Sequence, residues 1–187
     1  MERAKVRRGV SKAQWLEAGL DALAKGSVSS LSVEELAKQL GISKSGFYWH
    51  FKNRDDLLRE LLSYWIHEIT EVVTVNEELL AMEPGARLLK TADTIFEYQL
   101  TRWEMAIRLW AQEDRDAAKV VRKANQMRMD YLLLSFHELG FEGEDAEMRA
   151  MTLLCYMTWD MHMFGYISRK KRRAMIRTRI ELLTTPN

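Results

Sequence analysis

The chain has 187 residues, of which 47% are hydrophobic and 29% charged, with a formal net charge of +1. That length fits one domain of moderate size or a small domain joined to a larger one. A lone Cys155 excludes an intramolecular disulfide framework, and Asp160 and His162 interrupt the most apolar run, 150–167, which argues against a membrane span.

Two prolines and nine glycines, against abundant Leu, Ala, Met, Glu, Lys and Arg, favour helix throughout. No convincing alternating strand run is found, so the expected class is all-α. The charged N-terminus lacks the apolar segment of a signal peptide, and with the single cysteine it suits a reducing, cytoplasmic setting. Charge is unevenly divided. Residues 1–54 hold ten Lys or Arg and five Asp or Glu, a balance of +5, whereas 55–187 hold eighteen and twenty-two, a balance of −4. Basic charge on the smaller part is what phosphate binding requires. Arg3, Lys5, Arg7 and Arg8 form an arm that can touch phosphates or a minor groove, or simply a solvated start.

The first helix is expected from Ser11 to Lys25, with Leu16, Leu20 and Leu23 as its buried stripe and Gly26 as its end. A serine-rich loop, 27–30, follows. Ser32 reads as an N-cap, and Val33, Leu36, Ala37 and Leu40 make one apolar face of a short helix. Gly41 stands where a helix C-terminus wants a left-handed residue. Ile42 can plug the turn, Ser43 reads as a second N-cap, and the next helix, from Lys44 to about Phe51, has room for two turns. Two short helices joined by a tight glycine-containing turn are the layout of a helix-turn-helix. Phe47 and Phe51, four apart, can anchor the second helix. Lys44, Ser45, Gly46, Tyr48, Trp49 and His50 are left for the outward faces, where side chains can reach base edges and phosphates, with Gly46 allowing close approach. The alternative is a solvated face carrying aromatic residues by accident, but soluble domains rarely expose such a cluster without a partner.

The run GISKSGFYWHFKNRDDLLRELL, from Gly41 to Leu62, resembles the signature of the TetR family of bacterial transcription regulators. The resemblance implies a three-helix DNA-binding domain over 1–54 and a helical ligand-binding and dimerisation domain over 55–187. Ser45-Gly46 departs from the Gly-then-small order of many members, which leaves base preference open without disturbing the fold. The expected roles follow residue by residue. Lys44, Ser45 and Gly46 approach base edges; Tyr48 and His50 bind phosphates; Trp49 adds apolar or edge contact. Ser32, Val33 and Glu34 lie at a helix N-terminus, where a backbone N–H can meet a phosphate. Lys52 and Arg54 hold the flanking DNA backbone.

Asn53 or Lys52 caps a long helix expected to run to about Asn76, with Asp55 and Asp56 favourable in its first turn. Its apolar face is Leu58, Leu61, Leu62, Trp65, Ile66, Ile69 and Val73. Further helices are expected from Pro84 to Gln99, Arg102 to Ala111, Asp114 to Leu139 (ended by Gly140), Ala146 to about Tyr166, and Arg169 to Leu183. The helix from Ala146 is apolar nearly all round in its second half, so it must be buried on more than one face. It is either the centre of a monomeric core or, as the resemblance implies, part of a homodimer interface formed by the last two helices.

Candidate pocket residues are Trp65, Trp103, Trp110, Trp159, Tyr98, Tyr131 and Tyr156, with His67, Gln99, Asp160 and His162 as polar groups that can orient a ligand. Each also has an ordinary reading as core or surface. Asp160 is the most unusual, and an arginine at the start of a neighbouring helix or from a partner chain can pair with it. The Arg169–Arg173 basic cluster reads as solvation of the last helix's first turn. No HExxH, paired Glu-x-x-His, CxxC or phosphate-binding glycine loop is present. His67 and Glu71, the best metal-like pair, also make an ordinary surface pair, so no enzyme activity, cofactor or metal is expected. By resemblance, the protein is a homodimeric repressor that leaves a palindromic double-stranded DNA operator when a small-molecule inducer fills its sensor domain. The alternative is a dimeric regulator without a ligand, controlled by a protein partner or by its expression level.

Overall fold

The computed structural model describes residues 9–186, and among them every regular element is a helix. The basic arm Arg3, Lys5, Arg7 and Arg8 lies outside the described residues. Helix α1 (Lys12–Lys25) opens with a capping box: Ser11 Oγ accepts from the Gln14 N–H, and the Gln14 side chain accepts from the Ser11 N–H at 2.9 Å. Helix α2 (Val33–Gln39) is capped by Ser32, as expected. Its C-terminus closes with Gly41 at φ +68°, while Ile42 N–H reaches back to the Ala37 carbonyl and Gly41 N–H to that of Lys38. This double bond pattern is a Schellman motif, and only a residue at ease with positive φ fits it without strain.

The next element differs from the expected α-helix. Lys44–Trp49 is a 3₁₀ helix, with Gly46 N–H bonded to the Ser43 carbonyl and His50 N–H to that of Phe47. Six residues containing a glycine and three consecutive aromatics are too few and too poor in helix propensity to sustain α geometry. Ser43 does not cap it; its hydroxyl bonds that of Ser45 instead.

Helix α3 (Arg54–Ile66) is capped by Asn53, whose Oδ1 accepts from the Asp56 N–H. The buried position in its first turn is Leu57 rather than the expected Leu58, which is only partly covered. The helix then passes through a π turn (His67–Glu71) into α4 (Val72–Thr74), so the expected uninterrupted helix to Asn76 is broken. The extra residue in that turn brings both Ile69 and Thr70 inward. A short α5 (Glu77–Leu80), not anticipated, is capped by Asn76. Helices α6 (Pro84–Glu97), α7 (Glu104–Glu113), α8 (Arg115–Glu138), α9 (Gly143–Phe164) and α10 (Arg169–Thr184) complete the fold close to their expected bounds.

Two apolar cores result. The first packs α1, α2 and the 3₁₀ helix against α3, α7 and the first half of α8, with Trp15, Phe47, Phe51, Leu61, Trp65 and Trp110 among its members. Trp15 meets Phe47 and Phe51 edge-on, at 5.5 and 6.4 Å between ring centres. The second core lies among α6, α8, α9 and α10, around Leu88, Leu132, Phe136 and Leu153. A boundary at 54/55 therefore falls inside the first core, which couples α1, α2 and the 3₁₀ helix directly to α7 and α8. Polar ties strengthen that seam: Trp103 Nε1 donates to Asp21 at 2.7 Å, and the Tyr64 hydroxyl donates to Glu17 at 3.0 Å.

At the middle of the chain, Glu104 is fully buried and accepts a two-pronged contact from Arg128, at 3.0 and 3.3 Å. Arg128 Nε donates to Thr70 Oγ1 on the π turn, and Arg108 adds a further contact to Glu104. Between α6 and α8, the buried Arg87 donates to Ser135, to the Leu80 carbonyl and to Glu138. Buried ions are tolerable only when paired this fully. Arg128→Met should cost about 3 kcal/mol, because it strands the Glu104 carboxylate with Arg108 alone; urea unfolding monitored by tryptophan fluorescence measures it. A second expectation concerns pH. Burial, and then the hydrogen bond to Glu17, push the Tyr64 phenol up to about 12. The native state then holds this proton longer than the unfolded chain, whose tyrosines titrate near ~10. The stability it contributes is intact below that value and is lost as pH rises towards 12. Tyr64→Phe should flatten this alkaline loss in a melting-temperature series.

Candidate functional site

The 3₁₀ geometry stacks residues three apart, so the element presents three rows. Phe47 lies in the inward row and is almost fully buried beside Phe51. Ser45 and Tyr48 make a second row, and Trp49 stands over Gly46 in the third. Tyr48 is 59% exposed and Trp49 86%. Burying a large ring against Trp15 on one side thus holds two uncovered rings out on the other.

Not every expected DNA-facing residue is free to play that part. Arg54 folds back: its Nε donates to the Leu31 carbonyl at 3.1 Å, and Nη2 donates to that of Val28. It fastens the loop before α2 and commits two of its three guanidinium nitrogens to the scaffold. His50 flanks Phe47 and its ring Nε2 is 2.9 Å from the Val10 carbonyl, so it ties the chain before α1 to the recognition element. Gly46 has a packing reason beyond close approach, since a Cβ there would sit 3.0 Å from Ile42 Cδ1. The Val33 side chain is buried in the core, leaving only its backbone N–H at the start of α2 to face outward. Ser32 Oγ bonds both the Glu35 N–H and Glu34, at 3.4 and 3.3 Å. Lys52 keeps an exposed side chain, while its backbone N–H bonds Asp56 and holds that carboxyl below the usual range.

Lys44 is paired with Glu34 across the two short helices. The hydrogen bond between them lowers the Glu34 carboxyl below its ordinary value and raises the Lys44 ammonium above its own. A DNA phosphate entering there would compete with Glu34 for the ammonium. That acidic partner was not foreseen, although a Glu ten residues before a Lys is how the turn brings two helix N-termini together.

In the second unit the candidate pocket residues separate into three groups. Trp65 and Trp110 are core, because their rings fill the space between α3, α7 and α8. His67 is exposed and pairs with Glu71 at 3.2 Å, while Lys123 approaches the same carboxylate at 3.5 Å, an ordinary surface arrangement. Trp103 and the exposed Tyr98 border a shallow surface groove beside Tyr64. Trp159 stacks edge-on with the exposed His162 at 5.9 Å and lies away from the interior clefts. Gln99, Tyr131 and Tyr156 do line interior space.

That space consists of two clefts. The outer one, about 590 Å³ including solvent at its mouth, lies between α6, α9 and α10 and is bordered by Phe96, Gln99, Tyr156, Asp160, Arg169 and Arg172. The inner one is narrow, almost wholly apolar, and reaches Ile69, Thr70 and Val73 along the π turn and α4. Tyr131 lines it with its hydroxyl bonded to Thr91 at 2.7 Å, and burial raises that phenol above its ordinary value. Asp160, singled out for its apolar surroundings, pairs with Arg172 of the first turn of α10 at 2.7 Å and with Arg179 at 3.6 Å.

Helix α9 has a second apolar stripe. Met148, Met151, Cys155, Trp159, Met163 and Tyr166 recur at helical spacing on the side opposite Leu153 and Met157, and all but Trp159 are exposed. Arg54→Ala tests the scaffold assignment made above. It should lower stability by about 2 kcal/mol and leave the salt dependence of DNA binding unchanged; a flattened salt slope at unchanged stability would return Arg54 to the phosphate-binding set.

Residues 16–61 match the sequence profile of the family described as bacterial regulatory proteins, tetR family. The chain is 33% identical over 146 residues to the HTH-type transcriptional regulator AcrR of Shigella flexneri, covering 78% of this chain and 57% of that protein. It spans about half the length of the curated relatives it matches. Its fold is shared with a transcriptional regulator from Rhodococcus sp. Rha1, at a TM-score of 0.70 and 18% identity, covering 93% of this chain and 96% of that one. It is also shared with the transcriptional regulator FadR from Bacillus subtilis, solved in complex with stearoyl-CoA, at 0.67 and 18%, covering 94% and 98%. Among the described residues no helix is long and apolar enough to cross a membrane. Residues 16–61, with the helix-turn-helix among them, thus carry the sequence signature of the TetR family of bacterial regulatory proteins, on a chain whose fold is shared over more than nine-tenths of its length with solved transcriptional regulators.

Proposed function

We propose that the protein is a homodimeric, sequence-specific transcription regulator, a repressor released from a palindromic operator by a small-molecule inducer. The observation that carries the reading is the recognition element itself. Tyr48 and Trp49 stand exposed beside Lys44 and Ser45, on a backbone anchored by the buried Phe47 and Phe51. Exposed rings and a cation on so short an element suit base edges and phosphates in a major groove. Lys52 and the N–H groups at the start of α2 supply flanking phosphate contacts.

The second apolar stripe of α9 supports dimerisation. Its side chains lie opposite the protein's own core, and a second copy would cover them by the same face, as two-fold symmetry demands. Two recognition elements about 34–36 Å apart would then meet successive major grooves. The interior clefts support the inducer: they border the π turn that continues from α3, the helix packed on the DNA-binding unit. A ligand that favours one placement of that turn over another shifts the population of DNA-competent dimers, and about 1–3 kcal/mol of differential affinity is enough.

Selection of bound sequences from a random duplex pool at physiological salt tests the reading. One enriched palindrome is the expected outcome; retention by charge alone, with no enriched sequence, would remove it. On the enriched site, Lys52→Ala should weaken binding to all sequences alike and flatten the salt slope by about one unit.

A further inference from the structure

The outer and inner clefts share Ile95, Thr101 and Met157 as a common wall. A shift of those side chains would join them into one bent passage from the surface to the π turn. Its two ends differ in chemistry. At the outer end Asp160 and Arg172 are each only 7% exposed. Asp160 Oδ1 and Arg172 Nε are buried without a hydrogen-bond partner, and so is Arg179 Nη1. Arg179 Nη1 and Asp160 Oδ1 face one another at 3.6 Å, whereas the Nε of Arg172, a residue of the outer cleft's wall, is a donor with no partner at all, a costly arrangement for a protein to keep without use.

The sign of the charge decides what would satisfy them. Arg172 and Arg179 face the single carboxylate of Asp160. At the rim Arg169 and Arg173 share Glu97, each at 3.5 Å. Four guanidinium groups thus face two carboxylates, leaving an excess that favours an anion. Burial also lowers the Arg179 pKa, a strain that a nearby anion would relieve. Gln99, on the rim, sits at φ +50° in a Schellman turn where glycine is the usual residue. A non-glycine residue held in that region is a cost commonly found where a ligand is contacted.

At the inner end no charge is spare. Arg128 lines the cleft, but all its nitrogens are committed to Thr70 and Glu104. The Thr91 and Tyr131 hydroxyls satisfy one another. What remains is apolar wall, from Ile69 and Val73 to Leu132 and Leu154. A polar head entering here would find no partner, whereas a hydrocarbon would.

We propose that this passage binds an elongated amphipathic anion, its carboxylate head against Arg172 and its unbranched apolar tail running past Ile95 and Met157 to the π turn. The assignment rests on the reading of the second unit as ligand-responsive, and it names the ligand class. The tail end would press on Ile69 and on Thr70, the residue through which Arg128 grips the π turn.

The test uses three ten-carbon probes that differ only in the head: decanoate, decanol and decyltrimethylammonium, each below its micelle concentration. Binding to the full chain without DNA is followed by calorimetry and thermal shift. Decanoate should bind at least tenfold tighter than either of the others, and butanoate should bind far more weakly than decanoate. Arg169→Glu, an exposed change, should weaken decanoate several-fold and leave decanol unaffected. Met157→Trp, which thickens that common wall, should abolish decanoate binding while the variant retains its helical spectrum. Equal binding of decanol and decanoate, preference for the cation, or no binding by any probe would each overturn the proposal. Tight decanoate binding that leaves the enriched DNA site occupied would keep the ligand class and instead remove the inducer reading, so the two failures are distinguishable.

Discussion

The grip of Arg128 on Glu104 and Thr70 joins parts that would otherwise be neighbours only. One guanidinium on α8 holds a fully buried carboxylate on α7 and a hydroxyl on the π turn, and its plane lies 5.4 Å from the Trp65 ring centre. Such a fork has little tolerance for misplacement, because each lost contact leaves a desolvated polar group behind. The first core, the π turn and the inner cleft therefore share one geometric reference. A change at the cleft cannot shift the π turn without also disturbing this node, which is the physical condition for coupling two distant surfaces.

The π turn is the second half of that device. An α-helix that ran from Arg54 to Asn76 without interruption would carry motion as a rigid rod. The inserted residue gives the rod one turn with looser backbone bonding, at the level of the inner cleft. Thr74 Oγ1 takes up the Thr70 carbonyl at 3.0 Å, so the turn is stabilised by its own side chains.

Much of this was legible in the residues. Caps at Ser32 and Asn53, the left-handed Gly41 and the helix end at Gly140 all follow from local rules, because each is decided within about one turn of chain. The failures have a common physical origin. Whether the helix at His67 takes in an extra residue depends on partners far along the chain, such as Arg128. The same holds for function-bearing side chains. Arg54 looked like a phosphate ligand from its neighbours, yet the carbonyls of Val28 and Leu31 claim it. Trp65 and His67 lay in the right helix for a pocket, but the first faces the core and the second the solvent. Asp160 was conspicuous by its apolar context, which is the one signal of a buried ion that sequence carries directly.

The division of labour within the recognition element has a bearing on how such a protein can change. Its order derives mainly from one of its own rings, Phe47, and from Phe51 beyond it, both packed on Trp15. Lys44, Ser45, Tyr48 and Trp49 contribute little to that anchorage, so exchanging them costs the fold little. The reading head is in effect a replaceable cartridge on a fixed mount. If these side chains read DNA as proposed, substitution at four exposed positions changes the sequence read without first acquiring stability elsewhere.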